Sequence, residues 1–346
     1  MSLFALGITP YITSSIIVQL LTIAIPKLEE MQKDGEDGRK KIQTISRYLT
    51  VALALIESIA MTVGFGSRGL LAANTIPNKI VVIAAMTAGS AFLMWIGEEI
   101  TEHGVGNGIS IVLLINIVSR IPDDFVTLFD QFMKGQTILN AVVAAVVIIA
   151  VVLVTVVFVI FLQDGERRIP VQYAKKMQGR KMVGGQSTNI PLKVNTAGVI
   201  PVIFASSLMS FPNVIASLLG KTGGTGIGSK IMTGLSQSSW CDPSRPIYSL
   251  GLVLYIVLVV FFAYFYTSIT FNPIEISNNM KRQGGFIPGI RPGKPTTEYL
   301  SRILNYIVFI GAVGLIIVCV IPIFFNGMFG ANVSFGGTSI IIIVGV

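Results

Sequence analysis

The side chains best placed to do chemistry in this sequence are cationic. The stretch Gly284-Gly-Phe-Ile-Pro-Gly-Ile-Arg-Pro-Gly293 carries Arg291 and is flanked by Lys281, Arg282, Lys294 and Arg302. A guanidinium presents a planar fork that binds phosphates or carboxylates bidentately, and glycine with proline holds it in a defined loop. The chemistry on offer is recognition of an anionic macromolecule. Carboxylates are sparse. Glu57 is the one acidic residue well inside an apolar run, while Glu98, Glu99 and Glu102 sit at the end of another, where solvation is expected. One histidine, His103, and two cysteines, Cys241 and Cys319, make neither a metal-ligand set nor a disulfide framework. Gly220-Lys-Thr222 lacks the upstream glycine of a phosphate-binding loop, since Ile215 stands there. Gly104-Val-Gly-Asn-Gly108 follows a spanning helix rather than a strand and reads as a tight turn. No serine has a visible base, so neither catalysis nor a cofactor is expected.

The elements that position these residues are membrane helices. With 52% hydrophobic and 12% charged residues and a mean hydropathy of +0.76, the chain lies outside the range of soluble domains. Runs approaching the ~20 apolar residues of a bilayer span fall near 3–25, 49–66, 80–97, 109–120, 138–162, 198–219, 247–271 and 303–325, with a further apolar start from 336. If each span reverses the chain, the loops at 26–48, 98–108, 163–197 and 272–302 share one face. They hold 18 of the 25 lysines and arginines, so the positive-inside rule places the long basic loops in the cytoplasm. Topology then explains most of the net charge of +8, with contact to ribosomal RNA or acidic lipid left open.

The spans differ in character. Span one carries Thr9, Pro10, Thr13, Ser14, Ser15 and Gln19, and span six carries Pro201, Ser206, Ser207, Ser210 and Pro212. Helices this polar either line an interior seam or pore or pack closely on one another. Span five, Ile138 to Leu162, is almost unbroken aliphatic and reads as lipid-facing. Burying Glu57 in lipid would cost ~2.5–3.5 kcal/mol, so it should face a polar seam. A proton- or ion-coupled transporter usually keeps paired ionisable groups near the midplane, and no such set is present. A secondary transporter with inverted repeats is the alternative reading, and it leaves the basic loops unexplained.

Several motifs resemble those of bacterial SecY proteins. They are Phe4-Ala-Leu-Gly-Ile-Thr-Pro-Tyr-Ile12, Gly35-Glu-Asp-Gly-Arg-Lys40, Arg167-Arg-Ile-Pro-Val-Gln-Tyr-Ala-Lys175, Gln186-Ser-Thr-Asn-Ile-Pro-Leu-Lys-Val-Asn195, Phe335-Gly-Gly-Thr-Ser339 and the Arg291 loop. The resemblance runs in order from residue 3 to the C-terminus. It implies an all-α polytopic membrane protein of the SecY type, a ten-helix protein-conducting channel in two inverted halves. Residues 1–121 would be the remainder of the N-terminal half and 122–346 the C-terminal half, with cytoplasmic loops 163–197 and 272–302. Both ends read as truncations, the first helix, the plug and most of the last helix being missing.

The resemblance also implies roles. By motif alignment the apolar pore ring falls on Ile8, Ile12, Ile109, Leu113, Ile203 and Ile342, with Leu113 standing where isoleucine is common in the family. Such a ring disfavours water when empty and binds no passing side chain strongly. The lateral gate falls on Glu57, Ser207, Ser210 and Phe211. Docking of the ribosome or the SecA motor falls on Arg167, Arg168, Lys175, Lys176, Arg180, Arg291 and Lys294. The implied partners are SecE, SecG, SecA, the ribosome, signal peptides with the translocating polypeptides, and membrane lipids. The implied location is the bacterial plasma membrane.

Overall fold

A computed structural model describes residues 2–66, 75–104, 106–133, 138–173, 176–178, 181–183, 187–218, 227–241, 246–329 and 337–345. The apolar runs form helices because a chain in lipid must satisfy its backbone N–H and C=O groups within itself. The helices are α1 (Thr9–Ala24), α2 (Pro26–Lys33), α3 (Glu36–Gly66), α4 (Ile76–His103), α5 (Gly108–Phe132) and α6 (Ile138–Asp164), then α7 (Ile200–Leu218), α8 (Ile227–Leu235), α9 (Leu250–Thr270), α10 (Pro273–Arg282), α11 (Lys294–Phe329) and α12 (Gly337–Gly345). Among the described residues five helices are long and apolar enough to cross a membrane, or six if the bent pair α1 and α2 forms one span. The chain is a multi-pass membrane protein.

The bend of 108° between α1 and α2 has a local cause. Ile25 precedes Pro26, and the proline ring pushes it to extended backbone (φ −114°, ψ 109°), which ends α1 while Pro26 opens α2. The fourth span differs from its sequence reading. The apolar stretch at 109–120 is short, yet α5 runs through Pro122 to Phe132. Composition marks where apolar character ends at Asp123 and Asp124, whereas helical hydrogen bonding continues past both.

Contacts divide the chain into two units, one chiefly Met1–Pro122 with Ser206–Leu252 and the other Asp123–Ala205 with Val253–Gly345. In the first, α3 packs against both α1 and α4. The buried face of α4 is Met86, Gly89, Ser90, Met94, Gly97 and Glu98, a helical repeat of small and flexible side chains that lets backbones approach. The segment before α1 lies on this face, where the Ser90 hydroxyl donates to the Gly7 carbonyl at 3.1 Å and Gly7 adopts φ +57°. Elsewhere in this unit Trp240 is fully buried and its indole N–H donates to the Gly234 carbonyl of α8 at 2.7 Å.

The second unit holds the β structure, which the sequence reading treated as loop. Strands β1 (Glu166–Tyr173) and β4 (Ser187–Lys193) pair antiparallel with Ile169 opposite Ile190, and β5 (Gly285–Phe286) adds to the other edge of β1. Two further strands, β2 (Lys176–Gln178) and β3 (Lys181–Val183), pair with each other. Along β1 the period is two: Ile169 and Val171 are buried, while Arg168, Pro170 and Gln172 are exposed. The buried face joins Leu192, Met280, Ile287, Leu300, Ile303 and Ile307 in one core, so the sheet is seated on α10 and the start of α11. In the same unit α6 buries Val159 and Leu162 and exposes Val146, Val154 and Phe161, as a helix with one face to lipid does.

Candidate pore, gate and docking residues

Four of the ring positions lie in the first unit. Ile8, just before α1, is buried at 4% exposure, while Ile12 of α1 and Ile109 and Leu113 of α5 are half-buried. Ile203 of α7 and Ile342 of α12, both half-buried, belong to the second. Ile109 sits at a built corner. Gly106 turns the chain at φ +76°, and the Asn107 carboxamide oxygen accepts from the Ile109 and Ser110 N–H groups at 3.1 and 3.4 Å, capping α5. Gly108 then abuts the Gly97 carbonyl so closely that a Cβ would collide. The run 104–108 is therefore a tight turn between two helices, with Val105 outside the described residues.

The polar residues of α1 divide between roles. Ser14 is completely buried and donates to the Ser46 carbonyl of α3 at 2.7 Å, an acceptor also used by the Thr50 hydroxyl at 2.7 Å. That hydroxyl serves helix packing rather than a pore surface. Thr13 bonds back to its own helix at the Thr9 carbonyl.

At the gate positions Glu57 and Ser207 are half-buried, and Ser210 and Phe211 are exposed. The Ser210 hydroxyl donates to the Ser206 carbonyl one turn back, at 2.8 Å. The polar link between α3 and α4 beside Glu57 is made by Ser58, whose hydroxyl lies 3.0 Å from that of Thr87.

Glu98 corrects the sequence reading most clearly. Expected at a solvated helix end, it is 6% exposed and accepts from Arg47 Nε at 2.8 Å and Gln43 Nε2 at 3.2 Å. The physical reason is that α4 continues to His103, which sets Glu98 more than a turn inside the helix, on its buried face. The spacing Met86, Ser90, Met94, Glu98 is one residue per helical turn, and that repeat is the signal that would have found it. Glu99 pairs instead with His103 one turn on, at 3.2 Å and exposed.

Among the docking residues, Arg167 and Arg168 stand exposed at the start of β1, where Arg168 forms an ion pair with Glu166 at 2.5 Å. Arg291 is exposed in the loop that follows β5, and Lys294 is exposed at the first residue of α11. Gly284 (φ +72°) turns the chain just before β5, and the loop itself turns at two left-handed glycines, Gly289 and Gly293 (φ +84° and +106°). It is tied down by its backbone, since Thr296 Oγ1 donates to the Arg291 carbonyl at 2.9 Å and Ser277 Oγ to the Gly293 carbonyl at 3.1 Å. The guanidinium of Arg291 is thus offered from a fixed base. Lys175, Arg180 and the Gly220-Lys-Thr222 run lie outside the described residues, as does the Lys176 side chain.

Long apolar helices joined by buried polar contacts, with a sheet-built basic surface at one set of connections, define a polytopic membrane protein with folded basic connections. Residues 2–346 match the SecY family, and the chain belongs to it. It is 43% identical to the protein translocase subunit SecY of Mycobacterium bovis, covering all of this chain and 78% of the relative. It is 45% identical to that of Streptomyces galbus over the same shares, and 42% identical to that of Pseudomonas aeruginosa over 99% of this chain and 75% of the relative. Among solved structures, a protein-conducting channel superposes with a TM-score of 0.64 at 21% identity, covering 99% of this chain and 78% of that one. Sec61 from a canine ribosome–channel complex of the endoplasmic reticulum gives 0.63 at 19% identity over 99% and 78%. By family, then, the chain is a channel subunit of a protein translocase and not an enzyme.

Proposed function

We propose that this chain forms the conduit through which secretory polypeptides cross, and from which membrane proteins enter, the bacterial plasma membrane. The observation that carries this reading is the SecY match over residues 2–346 together with apolar side chains at each of the ring positions. The ring is Ile8, Ile12, Ile109, Leu113, Ile203 and Ile342. Aliphatic side chains exclude water and ions when the pore is empty and mould around an extended chain without holding any residue of it. Residues 1–121 and 122–346 act as the two halves of the channel, and the gate opens beside Glu57, Ser207, Ser210 and Phe211.

The basic segments 163–197 and 272–302 face the cytoplasm and receive the partner that supplies energy, a translating ribosome or a SecA-type motor. What supports this is that Arg167, Arg168 and Arg291 are exposed on one folded unit, and that one solved relative is a ribosome–channel complex. SecE and SecG complete the assembly. The test places a photocrosslinking residue at Ile203 in the full-length protein during translocation of a stalled secretory chain. Capture at successive positions of the passing chain supports a polypeptide pore. Selective uptake of a small solute without capture would replace it with the transporter reading.

A further inference from the structure

Four helices of the first unit are tied together through contacts that step along neighbouring residues. Ser14 of α1 donates to the Ser46 carbonyl of α3 at 2.7 Å. The next residue of α3, Arg47, donates through Nε to Glu98 of α4 at 2.8 Å, and Gln43 adds a second donor to the same oxygen at 3.2 Å. The residue before Glu98 is Gly97, whose carbonyl is in contact with Gly108 at the start of α5. Thr101 closes this last joint: its hydroxyl donates to the Gly97 carbonyl at 2.8 Å and accepts from the Gly108 N–H at 2.9 Å.

The joints are built for one arrangement. Ser14, Ser46 and Glu98 are 0%, 6% and 6% exposed. A buried carboxylate deprived of its donors is left uncompensated, so the Arg47–Glu98 contact resists sliding of α3 on α4. A Cβ on Gly97 would lie 3.3 Å from Ile109 Cγ1, tight enough that any displacement of α4 is felt by that side chain. The two ends of the series are informative. Ile12 stands two residues before Ser14, and Ile109 directly follows Gly108. Both are ring positions, on different helices, and nothing in the pore reading itself requires them to be joined by polar contacts through α3 and α4.

We propose that this transverse brace, Ser14–Ser46, Arg47–Glu98 and Gly97–Thr101–Gly108, is a positioning device that fixes the spacing of Ile12 and Ile109 and thereby the tightness of the resting constriction. The proposal rests on the pore reading above. Arg47, Gln43, Glu98 and Thr101 are positioning residues that never touch the passing chain.

The test measures ion leak through the resting channel in membranes containing the full-length protein with its companion subunits, for wild type, Glu98→Ala, Glu98→Gln, Thr101→Val and Ile109→Gly. The amount of folded chain in the membrane is measured in parallel. Glu98→Ala should raise leak at least about tenfold, since it removes the charge-assisted bond from Arg47 together with the bond from Gln43. Glu98→Gln keeps an acceptor for Arg47 and should fall between it and wild type, which a general loss of folded protein would not produce. If Glu98→Ala fails to accumulate, Thr101→Val decides by the same measure, since it removes a single hydroxyl. Wild-type leak in the brace variants with raised leak in Ile109→Gly overturns the brace and leaves the pore reading standing. Wild-type leak in Ile109→Gly overturns the pore reading and the brace with it.

Discussion

Gln172 and Phe286 face each other as paired residues of β1 and β5, although α7, α8, α9 and α10 separate them in sequence. The pairing joins the strand that carries Arg167 and Arg168 to the short strand that leads into the Arg291 loop. Its weak point is Gly285, where a Cβ would lie 2.8 Å from Tyr173 Cε1. Gly285→Val should therefore displace β5 from β1 and cost about 1–3 kcal/mol as an overpacked site. The expected outcome is faster proteolysis at both basic segments and weaker binding of ribosome or motor through both. Loss confined to the Arg291 loop would mean the two segments act independently.

Arg291 separates docking from folding. Its side chain is exposed, while its carbonyl is the atom that holds Thr296. Arg291→Glu leaves that backbone contact in place, so stability should change by no more than about 0.5 kcal/mol, as for ordinary surface substitutions. Ribosome binding or motor-driven translocation should fall sharply, because a bidentate donor becomes a like-charged repellent toward phosphate or carboxylate. If both activities survive in a translocation assay with normal levels of the protein, Arg291 has only a topological role.

Glu57 tests the gate. A carboxylate half-buried in a span favours arrangements that hydrate it or give it a polar neighbour, at a stake of ~2.5–3.5 kcal/mol. Glu57→Leu removes that preference and stabilises a closed apolar contact. A signal segment must then be more hydrophobic to open the gate, and the threshold in a graded-signal insertion assay should rise. An unchanged threshold would remove Glu57 from the gate.

Much of this was legible in the sequence, and for particular reasons. Long aliphatic runs announce α6, α9 and α11 because lipid tolerates little else over such lengths. The cations of 163–197 announce an exposed connection between spans, but not that it holds a sheet. Ile169 and Val171 alternate with exposed residues over too few positions to outweigh the flanking charge and the prolines Pro170 and Pro191. β5 has two residues, and its strand character exists only through its pairing with β1. The repeat at 86, 90, 94 and 98 puts Glu98 on a buried face, but a charge is buried only with a donor to meet it, and that donor lies on another helix. Arg47 is 51 residues away, and no local pattern connects the two.

Trp240 offers a direct optical check on the segment between α7 and α9. The sequence has two tryptophans, of which Trp95 is 53% exposed and Trp240 fully buried. Trp240 is held from two sides. Its N–H donates to the Gly234 carbonyl, and Gly251 lies so close that a Cβ would collide with both the indole and that carbonyl. One of the two contacts is backbone, which cannot rotate away, so Gly251→Ala must separate α8 from α9. The expected cost is about 1–3 kcal/mol, again that of overpacking. In a Trp95→Phe background the remaining emission should shift to the red and become accessible to an aqueous quencher, because the indole loses both its burial and its acceptor. An unshifted spectrum with full protection from quenching would show that Trp240 is held by something other than the contact of Gly251 with Gly234.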